Sequence, residues 1–206
     1  MTLSPLTELD AVNEMLLSIG QAPVSTLSVP GIRDVSIAQQ ELARVSRAVQ
    51  LQGWHWNTDE GYSLSPAADG VILAPPGLLR FEVTDRGRDL TLRRKPGTTG
   101  TLALYDRTNH SFTFDAPVAI KAVWGFPFED LPETARTYIS IAAARKFQAR
   151  TIGSRELDGF NAEDEDRAWT QLIRDERATR NTNIFRRNRS MQRLYNRSGT
   201  GGVAYP

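Results

Sequence analysis

LDAVNEMLLSIGQAPVSTL, residues 9–27, is the stretch that decides the fold. Leu9, Val12, Leu16 and Ile19 recur at spacings of three and four, so they line one face of a helix. Gly20 and Pro23 stop that helix. An extended Pro-Val-Ser-Thr-Leu arm follows, with Pro23 and Pro30 each holding the residue before it out of the helical region. Ser4 and Pro5 read as the cap and first-turn pair. A helix with a single apolar stripe must bury it against other elements, so residues 9–27 open a bundle.

The same logic extends outward. A second helix is expected from Asp34 to Gln52, with Ala38, Leu42, Val45 and Val49 as its stripe and Gly53 as its stop. Between Trp54 and Phe126 the pattern changes, as Pro and Gly recur in ADG, APPG, KPGTTG and DAPV. Short β-prone runs lie between them: Trp54–Asn57, Tyr62–Leu64, Val71–Leu73, Leu90–Arg93, Thr101–Tyr105, Ser111–Phe114 and Val118–Trp124. KPGTTG and DRTNH have the composition of hairpin turns. Leu92 with Leu102 or Leu104 is expected on the buried side of a hairpin around Lys95–Gly100. Helix returns at Pro132, with Ala135, Tyr138, Ile139, Ala142 and Phe147 as its apolar side. Gly153 closes it and Ser154 caps a last helix reaching Thr179, with Leu157, Phe160, Ala168, Trp169, Leu172 and Ile173 as packing residues. So short a turn implies an antiparallel pair.

The expected class is α+β: a bundle of about four helices, an inserted small antiparallel β domain and an extended basic C-terminal arm. In residue ranges this is 1–53 for the first helices, 54–128 for the β insertion, 129–180 for the helical hairpin and 181–206 for the arm.

Composition narrows the function. The 206 residues carry a net charge of +1 and no cysteine, which excludes disulfides and thiolate metal sites. Mean hydropathy is −0.39, no window approaches the ~18–20 apolar residues of a membrane span, and MTLSPLTELD lacks the regions of a signal peptide. A soluble product made in the cytoplasm is expected, with no membrane partner. The near-neutral total hides an asymmetry. Residues 174–197 contain eight arginines against Asp175 and Glu176, a balance of +6, whereas the remaining residues carry 17 basic and 22 acidic side chains, a balance of −5. A basic arm on an acidic body points to an acidic partner, nucleic acid or protein; a solvated arginine-rich end with no fixed partner is the bland alternative.

Catalytic and metal chemistry find no footing. His55 and His110 are the only histidines, His55 sits between Trp54 and Trp56 on an expected strand, and no HExxH is present. The acidic run Glu163, Asp164, Glu165 and Asp166 points round most of a helix instead of opposing two carboxylates across a substrate. Its acids are expected to pair with Arg145, Lys146 and Arg150, or with Arg167. KPGTTG lacks the Gly-Lys-Ser/Thr ending of a phosphate cradle. Trp54, Trp56, Tyr62 and Phe81 would make a base-stacking platform only with interleaved basic residues; Asp59 and Glu60 stand there instead, and core or interface packing is the expectation. No cofactor is implied.

In the arm, RRNRSMQRLYNR, Arg189, Arg193 and Arg197 recur every four residues, with Met191, Leu194 and Tyr195 among them. Arginine forks hold carboxylates and phosphates alike. The apolar admixture favours docking on a protein, so Arg186, Arg187, Arg189, Arg193, Leu194, Tyr195 and Arg197 are the expected partner-binding residues. DNA remains the second reading.

Five segments in order, AVNEMLLSIGQAPVSTL, QGWHWNTDEGYSL, YDRTNHSFTFD, DLPETARTYISIAAARKFQARTIGS and ELDGFNAEDEDRAW, resemble the tail tubular protein A family, head-to-tail adaptors of short-tailed bacteriophages. The resemblance runs from about Leu6 to Arg180. It implies a structural virion protein and no enzyme: a ring, twelve subunits in the family, beneath the portal protein. The nozzle protein (tail tubular protein B) would attach below, and the genomic DNA would pass through a central channel without sequence-specific binding. The competing readings are a nucleic-acid-binding phage protein using the arginine arm, and a polysaccharide hydrolase using residues 163–166.

Overall fold

The computed structural model describes residues 4–28, 33–85, 87–97, 100–153 and 155–179. Among these, four α-helices carry a β insertion, as the α+β reading has it. Helix α1 spans Glu8–Ser18 and α2 spans Arg33–Gln50. Strands β1 (Thr58–Leu64), β2 (Leu78–Val83), β3 (Leu90–Arg93), β4 (Ala103–Asp106) and β5 (Val118–Trp124) follow, before α3 (Glu133–Thr151) and α4 (Arg155–Thr179).

Helix α1 begins later than Ser4 and Pro5 suggested. Thr7 is the cap: its hydroxyl accepts from the Asp10 amide, and its own amide donates to the Asp10 carboxylate, both at 3.1 Å. That reciprocal pair satisfies two donors at once, which Ser4 with Pro5 does not do. The Thr7 hydroxyl also holds the Asp10 carboxyl below its ordinary range. At the other end Gly20, at φ 77°, donates to Leu17 while Gln21 donates to Leu16. This is the left-handed cap that glycine allows. The chain then runs without helix through Ser28, in keeping with the expected extended arm, and Asn13 clamps Val24 through both its amide groups at 2.8 and 3.0 Å. Pro30 lies outside the described residues.

The expected stripes are the core. Val12, Leu16, Ala38, Leu42, Val45, Val49, Ala135, Ile139, Ala142, Phe147 and Leu172 pack into one buried cluster, with Tyr138, Trp169 and Ile173 at its margin. Helix α3 is central. Ser140 meets Glu14 of α1, Arg150 meets Glu41 of α2, and Thr134, Arg145 and Gln148 meet Asp175, Glu165 and Asn161 of α4. The last three pairings descend along α4 as they climb α3, so the two helices are antiparallel. Ser154 and the side chains of Leu157 and Phe160 lie outside the description.

The sheet departs further from expectation. Trp54–Asn57 is not a strand; His55–Asn57 forms a single 3-10 turn. The Asn57 side chain accepts from the Trp54 amide at 2.8 Å, and a local side-chain bond of this kind competes with strand pairing. His55 therefore sits on this turn, not on a strand. Strand β1 starts right after and is longer than Tyr62–Leu64, with a bulge between Asp59 and Tyr62. Gly61 occupies that bulge at φ 77°, a conformation glycine adopts without strain. Strand β2 had no counterpart in the sequence reading. Both β1 and β2 pair antiparallel with β5, which is central in the order β1-β5-β2, and β3 pairs with β4 as a separate ribbon. Val71–Leu73 and Ser111–Phe114 make isolated bridges, not strands: Val71 to Thr113, Leu73 to Ala103 and Asp106 to Ser111.

A second cluster, Leu64, Ile72, Leu90, Leu104, Phe114, Val118, Ile120 and Ala122, fills the insertion. Of the alternative hairpin residues, Leu104 is buried and pairs with Leu92, whereas Leu102 precedes β4 and is 43% exposed. Placing Leu102 on the buried side is therefore corrected.

The YDRTNH turn is tied by Asp106. One carboxylate oxygen accepts from the Thr108 and Asn109 amides at 2.8 and 3.0 Å, and the other from the Asn109 side chain at 2.9 Å. The Asn109 amide and side chain hold the Asp106 carboxyl below its ordinary range. A depressed carboxyl pKa stabilises the turn above the unfolded value of about 3.9 and loses that stabilisation as pH falls through the folded value. In an NMR titration the Thr108 and Asn109 amide shifts are expected to move together with a midpoint below about 3.9, and Asp106→Asn to abolish the step. A midpoint at or above the ordinary value contradicts the assignment.

Candidate interaction surfaces

The features sequence singled out for chemistry are engaged in structure. Glu163 and Asp164 bind Arg167 at 3.2 and 3.3 Å, and Glu165 binds Arg145 at 2.9 Å. Arg145 and Arg167 are thus the partners expected. Arg150 is not: it reaches across to Glu41 of α2 at 2.5 Å, and Arg44 meets the same carboxylate. Glu41 is only 3% exposed yet lies beside the apolar stripe, so a buried carboxylate pins α2 to α3. Its position four residues before Val45 was the available signal. The two arginines remain more than half exposed, and the lock serves placement more than raw stability.

The aromatic residues divide between the two clusters. Trp54 stacks on Trp56 with centroids 6.5 Å apart, meets Trp169 edge-on at 5.5 Å, and donates its indole N–H to Val49 at 2.7 Å. Phe81 packs beneath the sheet. Tyr62 lies on the sheet surface, edge-on to Trp124, whose indole donates to Asp59 at 2.8 Å. Packing, not a stacking platform, is what these side chains do. The backbone N–H of His55 donates to Glu176, and the His110 ring lies 3.3 Å from the Tyr105 hydroxyl at a residue with φ 52°. Burial, with Glu165 nearby, pushes the Tyr138 hydroxyl pKa up. Among the described residues no three histidines or carboxylates gather as metal ligands, and no helix is long and apolar enough to cross a membrane.

Two buried amides join bundle to sheet, and sequence reasoning passed over both. Gln50, at the end of α2, donates to the Phe126 carbonyl at 3.1 Å and accepts from the Phe126 amide at 2.7 Å. Asn57 donates to the Gln50 carbonyl at 2.9 Å and to the Trp124 carbonyl at 2.8 Å. The chain entering the sheet and the chain leaving it are fastened at one place. A polar residue in step with an apolar stripe, as Gln50 is four after Ser46 and eight after Leu42, was the only hint.

Two of the grooves on the described surface border the bundle helices. One, of about 440 Å³, lies at this joint between α2 and the chain around Phe126. The other, of about 400 Å³, runs over α3 between α1 and α4, with Thr137, Ile141, Ala144 and Ala168 along it and Glu14, Arg145, Asp164 and Arg167 on its sides. Leu17, on α1 beside Ser18 of this groove, is 60% exposed. Exposed Leu73 and Leu102 lie on neighbouring segments of the insertion, where the Ala74 amide donates to the Leu102 carbonyl. The expected partner-binding residues Arg186, Arg187, Arg189, Arg193, Leu194, Tyr195 and Arg197 all lie outside the described residues.

No arrangement described above has the form of a catalytic centre; what the surface offers is grooves, exposed leucines and paired charges. Comparison with known proteins agrees with this picture. The family described as tail tubular protein matches residues 9–182. Tail tubular protein A of Klebsiella phage KP34 is 28% identical over 170 residues, covering 82% of this chain and 87% of that relative. The match spans all four helices and the insertion, and it bears out the resemblance read from the sequence. The chain belongs to the tail tubular protein family and is a structural component of the bacteriophage tail, carried in the virion.

Proposed function

We propose that the chain is a head-to-tail adaptor subunit: copies form a ring, twelve as in the resembled family, that joins the portal to the tail nozzle protein and surrounds the DNA channel. The observation that carries this reading is the similarity to tail tubular protein A across nearly the whole chain. A fold with two separate apolar clusters suits a ring subunit, since one part can face each neighbour. On this reading residues 1–53 and 129–180 form the bundle, 54–128 the insertion, and 181–206 an arm whose Arg186, Arg187, Arg189, Arg193 and Arg197 meet acidic partners while Leu194 and Tyr195 fill apolar notches. The body charge of −5 outside residues 174–197 favours passage of DNA over adhesion to it. The role is assembly, not catalysis.

The test is an image. Purified chain mixed with its portal is expected to add a ring of density beneath the portal in negative stain. A duplex-DNA mobility shift with steep salt dependence, and no added density, would overturn the adaptor in favour of a nucleic-acid-binding protein.

A further inference from the structure

The groove over α3 has a definite chemistry. Its floor is apolar and low, with Ile141, Ala144 and Ala168, and exposed Leu17 precedes the groove residue Ser18 on α1. Its sides carry Glu14 on α1 and Asp164 on α4, against Arg145 and Arg167, whose partners Glu165 and Glu163 also lie on α4. The pairs Arg145–Glu165 and Arg167 with Glu163 and Asp164 offset part of that charge, and Glu14 on the α1 side adds one carboxylate. The best occupant is apolar along one side and cationic along the other.

Residues 186–197 of this chain have that pattern: five arginines, no acid, and Met191, Leu194 and Tyr195. At 100° per residue, Arg186, Arg189, Arg193 and Arg197 fall within one quadrant of a helix, Met191 and Tyr195 fall opposite, and Arg187 and Leu194 lie between the two sides. An amphipathic helix laid in an apolar groove is a recurrent mode of recognition. Length permits it. The groove residues of α4 lie 11–18 positions before Thr179, about 17–27 Å along a helix, and the six residues 180–185 reach about 20 Å when extended.

We infer that the groove between α1 and α4 receives residues 186–197 of a neighbouring copy of the chain. The choice of a neighbour over the same chain rests on the ring assembly proposed above, because an arm-in-next-groove contact is heterologous and closes when every copy both gives and accepts.

The chain has no cysteine, which makes the test clean. Ala144→Cys and Leu194→Cys are made separately, mixed, assembled on portal and oxidised, with Ile141→Cys as a second groove position should Ala144→Cys misfold. A covalent heterodimer is expected, at least five-fold above that from Leu73→Cys paired with Leu194→Cys. Adding Glu14→Gln and Asp164→Asn, or raising salt, should cut the yield several-fold. Cross-linking no better than the Leu73 control, in particles that still show the ring, overturns the groove assignment and leaves the adaptor standing. In a further chain carrying both Ala144→Cys and Leu194→Cys, a link formed within the chain, with none between the separately substituted chains, overturns the choice of a neighbour. Absence of both ring and link overturns this inference together with the adaptor reading.

Discussion

Asn57→Asp is expected to cost about 3–5 kcal/mol of stability at neutral pH, a large share of the ~5–15 kcal/mol that holds a domain folded. The substitution is almost isosteric, so packing hardly changes. What changes is that the atom donating to the Gln50 and Trp124 carbonyls becomes an oxygen facing two oxygens, at a residue only 1% exposed. Each carbonyl left unpaired costs roughly 1–3 kcal/mol. A charge there adds a desolvation penalty that the group limits by keeping its proton. The sign of the pH dependence follows. The variant's carboxyl is raised in the folded state, so its deficit is smallest below the unfolded pKa of about 3.9, where its one O–H still serves one of the two carbonyls, and grows as pH rises past it. Urea unfolding at pH 4 and pH 7 checks both statements. A deficit under about 1 kcal/mol at pH 7 would show that the joint is held otherwise.

The second large effect separates two neighbouring leucines. Leu104→Asp is expected to destabilise the insertion by about 3–5 kcal/mol, since it removes a side chain with no solvent exposure from among Ile72, Leu90, Phe114 and Ile120 and puts a carboxylate there. Leu102→Asp is expected to change stability by under ~1 kcal/mol, because that side chain already meets water. Thermal denaturation of the two variants side by side decides it, and equal losses would overturn the face assignment. The contrast explains itself locally. Period-two reasoning puts residues 102 and 104 on one face, but β4 starts only at Ala103, and Leu102 sits where the chain passes Ala74.

That example marks where sequence reading succeeds and where it stops. The helices were legible because Val12, Leu16, Ala38, Leu42, Val45 and Val49 repeat at helical spacing and nothing nearby competes. Their ends were legible where glycine caps them, as at Gly20 and Gly53, but not where a reciprocal side-chain pair moved the start to Thr7. In the insertion the pairing is non-local. Strand β2 pairs with the edge that β5 offers it, and its signal was in the sequence unread: after a Pro-Pro-Gly turn Leu79, Phe81 and Val83 alternate with exposed Arg80 and Glu82. Trp54–Asn57 has β-prone residues, yet Asn57 bonds back to Trp54 and winds them into a turn. The surfaces were less legible still. Arg167 as a partner of Glu163 and Asp164 follows from helix spacing, and Arg145 with Glu165 from the antiparallel hairpin, whereas the partnership of Arg150 with Glu41 spans 109 residues and depends on how α2 lies against α3. The groove between α1 and α4 belongs to three helices at once, and no single segment carries its signature.

The amide joint has a mechanical side. The chain crosses between bundle and insertion twice, and both crossings are fastened at the same place, so a force on the insertion is carried through it. There the load divides between the incoming chain, gripped by Asn57, and the outgoing chain, gripped by Gln50 through both atoms of its amide. Two fasteners side by side resist rotation as one alone would not. Both deliver the load to the last turn of α2, and more than two turns earlier on that helix Glu41 is bolted to α3 by Arg150. Torque on the insertion is therefore delivered to the central helix of the bundle.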